Sequence, residues 1–424
     1  MGFHFEGRAR TFFMSTLYRD ALKEDQVLAQ GFGLGLHSGS YKGFSAGISA
    51  YYTLPLFTTP VFRPDPHTGQ INRYESGLLD LTDSSKKYNL YRLEELYLDY
   101  AFSKSSVRVG NMKLQTPFFN PQDGRMSPTY ESGVWIQMNE WEKFSVTGGW
   151  IWSVSPRSTV SWYNPAASVG IYPVGVNMNG SKSQYYHNIT GSTGVALLNL
   201  AYRISPSFSL SIWESLFENV MNTVYTEIRH KHKLKLAEFY SGLIYIHQDA
   251  LNNGGNPDPN KTYMEKGARS NLLSAQAGIR NNKMDLSLNY THITGDGRYL
   301  MPREWGRDMI YTFVQRERNE GLGLVHTFVI RGGYMLAPGL KTGLALGYFS
   351  LPDVKNYRLN KYSLPSYYHI CYELAYRIPK VLNRLELKAL IAYKENAGNL
   401  YNNLKYVYNR VNLINLNFML DYTF

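Results

Sequence analysis

The chain has 424 residues, a hydrophobic fraction of 44% and a net charge of +11 at pH 7, with a mean hydropathy of −0.33. This length can build a large structure, but no uninterrupted apolar run reaches about 18 residues, which excludes a transmembrane helix. Cys371 is the only cysteine, which excludes an intramolecular disulfide and any metal site built on several thiolates.

Aromatic residues make up 15% of the chain, with 35 Tyr against 7 Trp. A soluble core would use mainly Leu and Ile, whereas Tyr-rich girdles are typical of a barrel where it meets lipid headgroups. Residues 1–13 contain Glu6, Arg8 and Arg10 and therefore do not form the apolar part of a signal peptide. We expect the mature form of a protein of the bacterial outer membrane, with a starting Met supplied and the signal peptide already removed.

The first predicted strand separates apolar from charged residues by parity. Odd positions from Phe3 to Phe13 are apolar or small, whereas His4, Glu6, Arg8 and Arg10 occupy even positions. A charged side chain facing lipid near mid-membrane costs about 2 to 4 kcal/mol, so these cations should face a lumen. The same parity places four further cations inward: Arg280, Arg331, Lys388 and Lys394.

These inward cations allow two interpretations. They could form a positive ladder that gives an anion charge partners at each step, and guanidinium groups match carboxylates well. They could instead pair with acids and only brace the barrel wall. The acids predicted to face inward are Glu6, Glu95, Asp99, Glu373 and Glu386.

Two-residue alternation continues along the chain and predicts further strands. Clear cases begin at Phe44, Leu96, Phe144, Phe208, Leu273, Met284, Leu340 and Leu385. Tight turns are predicted at 39–43, 103–105, 139–142, 205–207, 230–233, 281–283, 337–339 and 379–384. Longer loops are predicted at 20–26, 58–89, 115–132, 153–193, 216–222, 248–268, 295–321, 350–365 and 395–405. Eight turns and nine loops predict about eighteen strands in a single all-β domain, residues 1–424: an antiparallel up-and-down transmembrane barrel with an aqueous passage.

Two loops are dense in polar and charged residues. The segment from Phe118 to Gly133 belongs to the third long loop, which porins commonly fold into the barrel. In the segment from Gly295 to Gly321, arginines interleave with acids around Trp305, which predicts an ordered loop held by ion pairs. These arginines are Arg303, Arg307, Arg316 and Arg318.

The last predicted strand, Ile414 to Phe424, places apolar residues at even positions. Eleven tilted residues span the apolar part of a bilayer, which favours a closing strand of a barrel over an edge strand of a soluble sandwich. A terminal aromatic residue such as Phe424 is typical of chains that the outer-membrane barrel assembly machinery recognises.

The chain resembles the OprD family of outer-membrane carboxylate channels. The resemblance rests on Asp123 to Gly133, on Pro302 to Arg307 with Arg316 to Gly321, and on the turn Pro338-Gly339-Leu340. It implies an eighteen-strand barrel, a constriction made by infolded loops, and a basic ladder that guides small carboxylate-bearing solutes. In this sequence, Arg8, Arg10 and Arg331 match ladder positions. Arg125 and the element Gly295-Asp296-Gly297 resemble constriction segments.

We therefore predict a substrate-selective diffusion channel, with Arg8, Arg10, Arg125, Arg280, Asp296, Arg303, Arg307, Arg331 and Lys388 as candidate solute-binding residues. An unselective porin is the first alternative. A barrel hydrolase using His292 with Asp296, or Ser366 with His369, is a second. A third is a scaffold whose loops 58–89 and 153–193 bind a surface protein.

The expected partners are small anionic solutes, outer-membrane lipid and lipopolysaccharide, the assembly machinery and either a second copy of the chain or a surface protein. No cofactor or catalytic site is predicted, since phosphate-loop and His-Glu-x-x-His motifs are missing. The tract from His230 to Lys233 is basic and more typical of contact with water or lipid phosphates than of a metal site. Nucleic acid is not expected, because the cations alternate with acids and face an enclosed lumen.

Overall fold

A computed structural model describes residues 2–85, 90–121, 125–378 and 384–424. Within them, eighteen β-strands form one sheet. The strands are β1 Phe3–Tyr18, β2 Asp25–Ser38, β3 Phe44–Thr58, β4 Leu90–Phe102, β5 Ser105–Met112, β6 Tyr130–Met138, β7 Phe144–Ser155, β8 Val195–Arg203, β9 Phe208–Phe217, β10 Met221–Lys233, β11 Glu238–Ala250, β12 Arg269–Arg280, β13 Met284–Ile293, β14 Val325–Ala337, β15 Leu340–Ser350, β16 Tyr367–Arg377, β17 Leu385–Asn396 and β18 Leu413–Thr423. Three single-turn helices, Glu75–Leu78, Pro165–Ser168 and Leu404–Tyr406, lie in the loops.

Each strand pairs antiparallel with the next one along the chain, and the sheet closes on itself. Strand β1 pairs with β2 on one side and with β18 on the other. At this seam the backbone N–H groups of Gly7 and Phe424 each donate to the carbonyl of the other residue over 2.8 Å. Closure leaves no sheet edge unpaired, as a strand-built membrane protein requires. The predicted eighteen-strand up-and-down barrel is confirmed.

The two faces of the sheet differ as the alternation predicts. On β4, Leu96 and Leu98 are both about half exposed, and on β18 so is Phe418, whereas the residues between them face the opposite side. Aliphatic and aromatic side chains cover this exposed face, which is the surface that hydrocarbon requires. None of the helices in the described ranges is long and apolar enough to span a membrane.

Connections alternate between the two ends of the barrel. One end has short turns at 39–43, 103–104, 139–143, 204–207, 234–237, 281–283, 338–339 and 378–384. The other end has connections at 19–24, 59–89, 113–129, 156–194, 218–220, 251–268, 294–324, 351–366 and 397–412. This is the alternation predicted from the sequence.

Two predicted connections were placed wrongly. His230 to Lys233 belong to β10 and pair with β11, and the turn lies at 234–237, where the Leu234 N–H donates to the Ala237 carbonyl over 2.8 Å. Charged residues can extend a strand here because its end lies at the barrel rim, outside the apolar zone. The loop predicted at 216–222 is a three-residue turn in which Asn219 has φ +61°. Residues 86–89, 122–124 and 379–383 of the predicted loops and turn lie outside the described residues, and Asp123 and Gly124 of the OprD-like segment are among them.

A β-bulge in β4 changes which residues face inward. Ser49 pairs with Glu95, but the next residue, Ala50, pairs with Leu93, so Glu94 is the extra residue. Tyr91 and Leu93 are exposed before the bulge, and Leu96 is exposed after it. The bulge therefore turns two consecutive acids, Glu94 and Glu95, away from the exposed apolar face.

Candidate functional site

Arg8 lies on the inward face of β1, as its parity predicts. Its guanidinium forms an ion pair with Glu94 and lies 4.3 Å from the centroid of the Tyr51 ring. Arg92 also donates to Glu94, over 3.0 Å, and to the Ser127 hydroxyl over 2.5 Å. The Glu94 carboxylate, whose side chain is 2% exposed, thus joins β1, β4 and the third long connection.

Arg10 is held by an acid on the neighbouring strand. Its Nε and Nη2 atoms donate to the two Asp421 oxygens over 2.5 and 3.0 Å. Lys388 on β17 approaches the same carboxylate to 3.6 Å and pairs with Glu386 at 2.8 Å. Arg10, Lys388 and Asp421 therefore form one connected group of charges on the inner wall.

Arg125 adjoins this group from the third long connection. Its carbonyl accepts a hydrogen bond from Arg10 Nη1 over 2.6 Å, and its own Nη1 lies 3.1 Å from the Met14 sulfur. The residue is 5% exposed and has φ +36°. The structure thus brings the predicted residues Arg8, Arg10, Arg125 and Lys388 to one side of the barrel.

Residues 309–317 of the connection 294–324 contact inward-facing side chains of distant strands. The Tyr311 hydroxyl donates to Glu227 of β10 over 2.7 Å. Arg316 Nη2 donates to Asn417 of β18 over 2.6 Å, and Glu317 pairs with Lys394 of β17. Because β10 and β18 are eight positions apart in the sheet order, the segment is fixed to well-separated parts of the wall.

Two predicted arginines lie on this connection and a third contacts it. Arg303 is 8% exposed, and its guanidinium lies 5.1 Å from the Tyr362 ring centroid. Arg307 lies over the Phe313 ring at 4.6 Å. On β14, Arg331 donates to the Phe313 carbonyl. Arg307 and Arg331 line a cavity of about 300 Å³ beside the segment.

Two predicted residues lie apart from these groups. Arg280 is at the short-turn end of the barrel, where it pairs with Glu238 at 2.5 Å. Asp296 accepts hydrogen bonds from Thr294 and from Asn271, whose side chain shares the outward face of β12 with Leu273. Asp296 therefore lies on the outer side of the rim, because the chain reverses there before entering the long connection.

The largest described cavity lies among the long connections and has a volume of about 1150 Å³. Its lining includes Arg73, Arg125, Arg157, Lys182, Arg303, Lys361, Lys405 and Arg410, and none of the described lining residues is acidic. We call it the outer cavity. Most of these cations were not among the predicted site residues, because loop residues far apart in sequence carry no periodic signal. The basic residues at 403–410 and the isolated Arg73 could have indicated the outer cavity only once the fold was known.

The charges in the outer cavity differ from those on the wall. Arg8, Arg10, Arg280 and Lys388 each have a carboxylate within ion-pair distance. Across the described ranges, no carboxylate lies within 4.0 Å of three lining arginines: Arg73, Arg303 and Arg410. Burial, and then the neighbouring charge of Arg73, lower the pKa of Arg410 to about 10. The outer cavity therefore holds three arginines whose charge no described carboxylate compensates within ion-pair range.

The two residue pairs considered for a hydrolase do not form a nucleophile–base contact. His292 Nδ1 lies 3.0 Å from the Val325 carbonyl oxygen, and its ring stacks on His326. The Ser366 hydroxyl is bonded to the backbone of Leu351. No group of three or more metal-binding side chains occurs among the residues that could be described.

A family model described as outer membrane porin, OprD family, matches residues 1–320. The chain belongs to the OprD family of outer-membrane porins. Its location is thus the bacterial outer membrane, and porins of this family are channels, not enzymes. No curated protein matches the sequence.

Several solved structures share this fold. Pseudomonas aeruginosa OccK9 (OpdG) has a TM-score of 0.77 and 16% identity, with 99% of this chain and 98% of that chain covered. Acinetobacter baumannii OccAB4 has a TM-score of 0.76 and 15% identity, with 100% and 98% covered. Pseudomonas aeruginosa OccK2 (OpdF), solved with glucuronate, has a TM-score of 0.74 and 13% identity, with 99% and 97% covered. At these identities the similarity shows the fold alone.

Proposed function

We propose that this OprD-family chain is a substrate-selective diffusion channel for small anionic, carboxylate-bearing solutes. The observation that carries the proposal is the outer cavity, with eight cationic lining residues and no described acid among them. A cleft lined by one sign of charge raises the local concentration of counter-ions and speeds their entry. Glucuronate in the structure of OccK2, and vanillate in that of OpdK, are both carboxylates and support this substrate class.

In this proposal the loops restrict the passage. The segment 309–317 crosses the lumen between the walls that it contacts, and the third long connection narrows it beside Arg10. An anion captured in the outer cavity passes these loops and then meets Arg8, Arg10 and Lys388. Because acids neutralise these wall cations, they provide replaceable hydrogen-bond donors for a carboxylate, and net attraction comes from the outer cavity. No covalent step is required.

The proposal is tested by uptake into proteoliposomes containing the full chain. A small carboxylate should enter faster than a neutral solute of the same size, and the double change R8Q/R10Q should reduce carboxylate entry about tenfold while changing neutral entry less. R19Q is the matched control, since Arg19 also pairs with an acid, Glu395, but lies exposed at the rim. Equal entry of both solutes would indicate an unselective porin and would refute the proposal.

A further inference from the structure

Three cations contact Tyr362 on the wall of the outer cavity, and a fourth lies beside one of them. Arg410 Nε donates to the Tyr362 carbonyl over 2.9 Å. The Arg303 guanidinium lies 5.1 Å, and the Lys361 ammonium 5.4 Å, from the Tyr362 ring centroid. Arg73 is the fourth cation: its backbone N–H donates to the Asn409 side chain, and its charge acts on the Arg410 guanidinium. We call these four residues the Tyr362 cluster.

One acid balances only part of this charge. Glu320 accepts hydrogen bonds from Lys361 Nζ over 3.3 Å and from the Tyr362 hydroxyl over 2.8 Å. Arg73, Arg303 and Arg410 are left without a described carboxylate in ion-pair range. The donors of Arg410 go instead to neutral acceptors, which include the Gln70 side chain and the Lys405 carbonyl.

Cations removed from bulk water require counter-charge, since desolvation is costly unless an anion compensates it. Arg303 is 8% exposed, and its Nε atom is buried with no hydrogen-bond partner. A monoanion cannot balance three guanidinium groups. A solute with two or more anionic groups gains a charge-assisted hydrogen-bond set for each group and leaves less charge uncompensated.

We infer that the Tyr362 cluster makes the channel prefer solutes with two or more anionic groups, carboxylate or phosphate, over monoanions of the same size. This inference rests on the proposed function and adds a substrate class to it. In this inference, Arg73 and Arg410 bind one anionic group of the solute and Arg303 binds the second. The cavity volume of about 1150 Å³ is ample for such a small solute.

The test compares half-saturating concentrations for uptake of butyrate, succinate and tricarballylate at pH 7 into proteoliposomes, with 1,4-butanediol as the neutral reference. In the phosphate arm, 3-phosphoglycerate, which carries a phosphate and a carboxylate, is compared with glycerol 3-phosphate, which carries one phosphate alone. The assay uses about 0.3 M KCl, because screening then suppresses long-range attraction and leaves contact binding. We expect succinate to saturate at a concentration about tenfold lower than butyrate.

Three variants locate the effect. R73Q/R410Q should bring the succinate preference below about threefold, whereas R73K/R410K should keep part of it, because charge remains and only the planar donors are lost. R358Q is the matched control, since Arg358 is exposed on a long connection and does not line the cavity. Retention of the barrel is checked by heat-modifiable gel migration.

The outcomes separate the inference from the proposed function. If succinate and butyrate have the same half-saturating concentration and both enter faster than 1,4-butanediol, the inference is refuted and the anion channel stands. If all three solutes behave alike, both fail. If R73Q/R410Q folds but keeps the full preference, the Tyr362 cluster is not its source.

Discussion

Glu94 connects the first strand of the barrel to its third long connection. It accepts hydrogen bonds from Arg8, Arg92 and the Ser127 hydroxyl, and the Arg92 and Glu94 side chains are 3% and 2% exposed. A carboxylate in this position compensates two guanidinium groups that are withdrawn from water. Removing one partner of a buried charge group costs more than the group contributes, because the remaining charge is uncompensated.

The change E94Q should therefore lower the free energy of unfolding by about 3 kcal/mol. The neighbouring E95Q is the matched control, because the Glu95 side chain is 20% exposed, bonds to Ser49 and should cost less than about 1 kcal/mol when changed. Urea unfolding in lipid vesicles, followed by tryptophan fluorescence, measures both. Equal losses in the two variants would contradict the special stabilising role of the buried Glu94 carboxylate.

Glu75 provides a pH-dependent contact at the residue scale. It is buried in the single-turn helix Glu75–Leu78, where its carboxyl accepts from the Thr16 hydroxyl over 2.5 Å. Burial raises the pKa of Glu75 from 4.5 to about 7. The folded loop thus favours the protonated Glu75 carboxyl. The contribution of Glu75 to the stability of the loop is complete below about pH 4.5 and is lost as the pH rises through about 7.

We expect residues 72–78 to be about tenfold less protected from hydrogen exchange at pH 8 than at pH 5, after correction for intrinsic rates. The variant E75Q should remove this pH dependence, because glutamine does not titrate. A wild-type protein whose protection is the same at both pH values would contradict the assignment of Glu75.

At the scale of elements, the connection 294–324 is held by packing as well as by charge. Trp305 is 1% exposed and stacks on Phe119 of the third long connection at 4.6 Å between centroids. The Phe217 ring packs edge-on against the Trp305 ring at 4.9 Å between centroids. The Trp305 indole N–H donates to the Ser168 hydroxyl over 2.9 Å. Ion pairs also join this loop to other parts of the chain: Glu317 pairs with Lys394 of β17, and Glu320 pairs with Lys361 of the connection 351–366.

The variant W305A should detach this connection from its neighbours, since loss of a buried Trp costs about 3 to 5 kcal/mol. If the loop restricts the passage as proposed, single-channel conductance should rise several-fold and charge selectivity should fall. W141A is the control, because Trp141 is half exposed on a short turn. Unchanged conductance in a properly folded W305A barrel would exclude a constriction at this loop.

At the scale of the molecule, the described cations of the inner wall and of the outer cavity are arranged differently. The inner wall pairs its cations with acids, as Arg10 does with Asp421. The outer cavity includes cations with no described carboxylate in ion-pair range, as at Arg73 and Arg410. In the proposed anion channel, capture and passage would therefore use different parts of one barrel.

The sequence alone predicted the strands, because lipid contact imposes a two-residue period of apolar residues, as in the segments that begin at Phe44 and Leu385. It also determined which cations face inward, since Arg8, Arg10 and Lys388 could not face hydrocarbon. The alternation of short turns and longer loops in the sequence predicted the number of strands. The family segments around Arg125 and Arg303 lie in the connections that contact the inner wall.

The partners of these charged residues could be identified only in the folded structure. The bulge at Glu94 breaks the period that reveals orientation, and the pairing of Arg10 with Asp421 joins the first strand to the last. The Tyr362 cluster assembles residues 73, 303, 361 and 410 from four separate connections and has no sequence period. A regular sequence period arises where a strand contacts a uniform solvent such as lipid. A cavity between loops has no such period, because its contacts form only when the barrel closes.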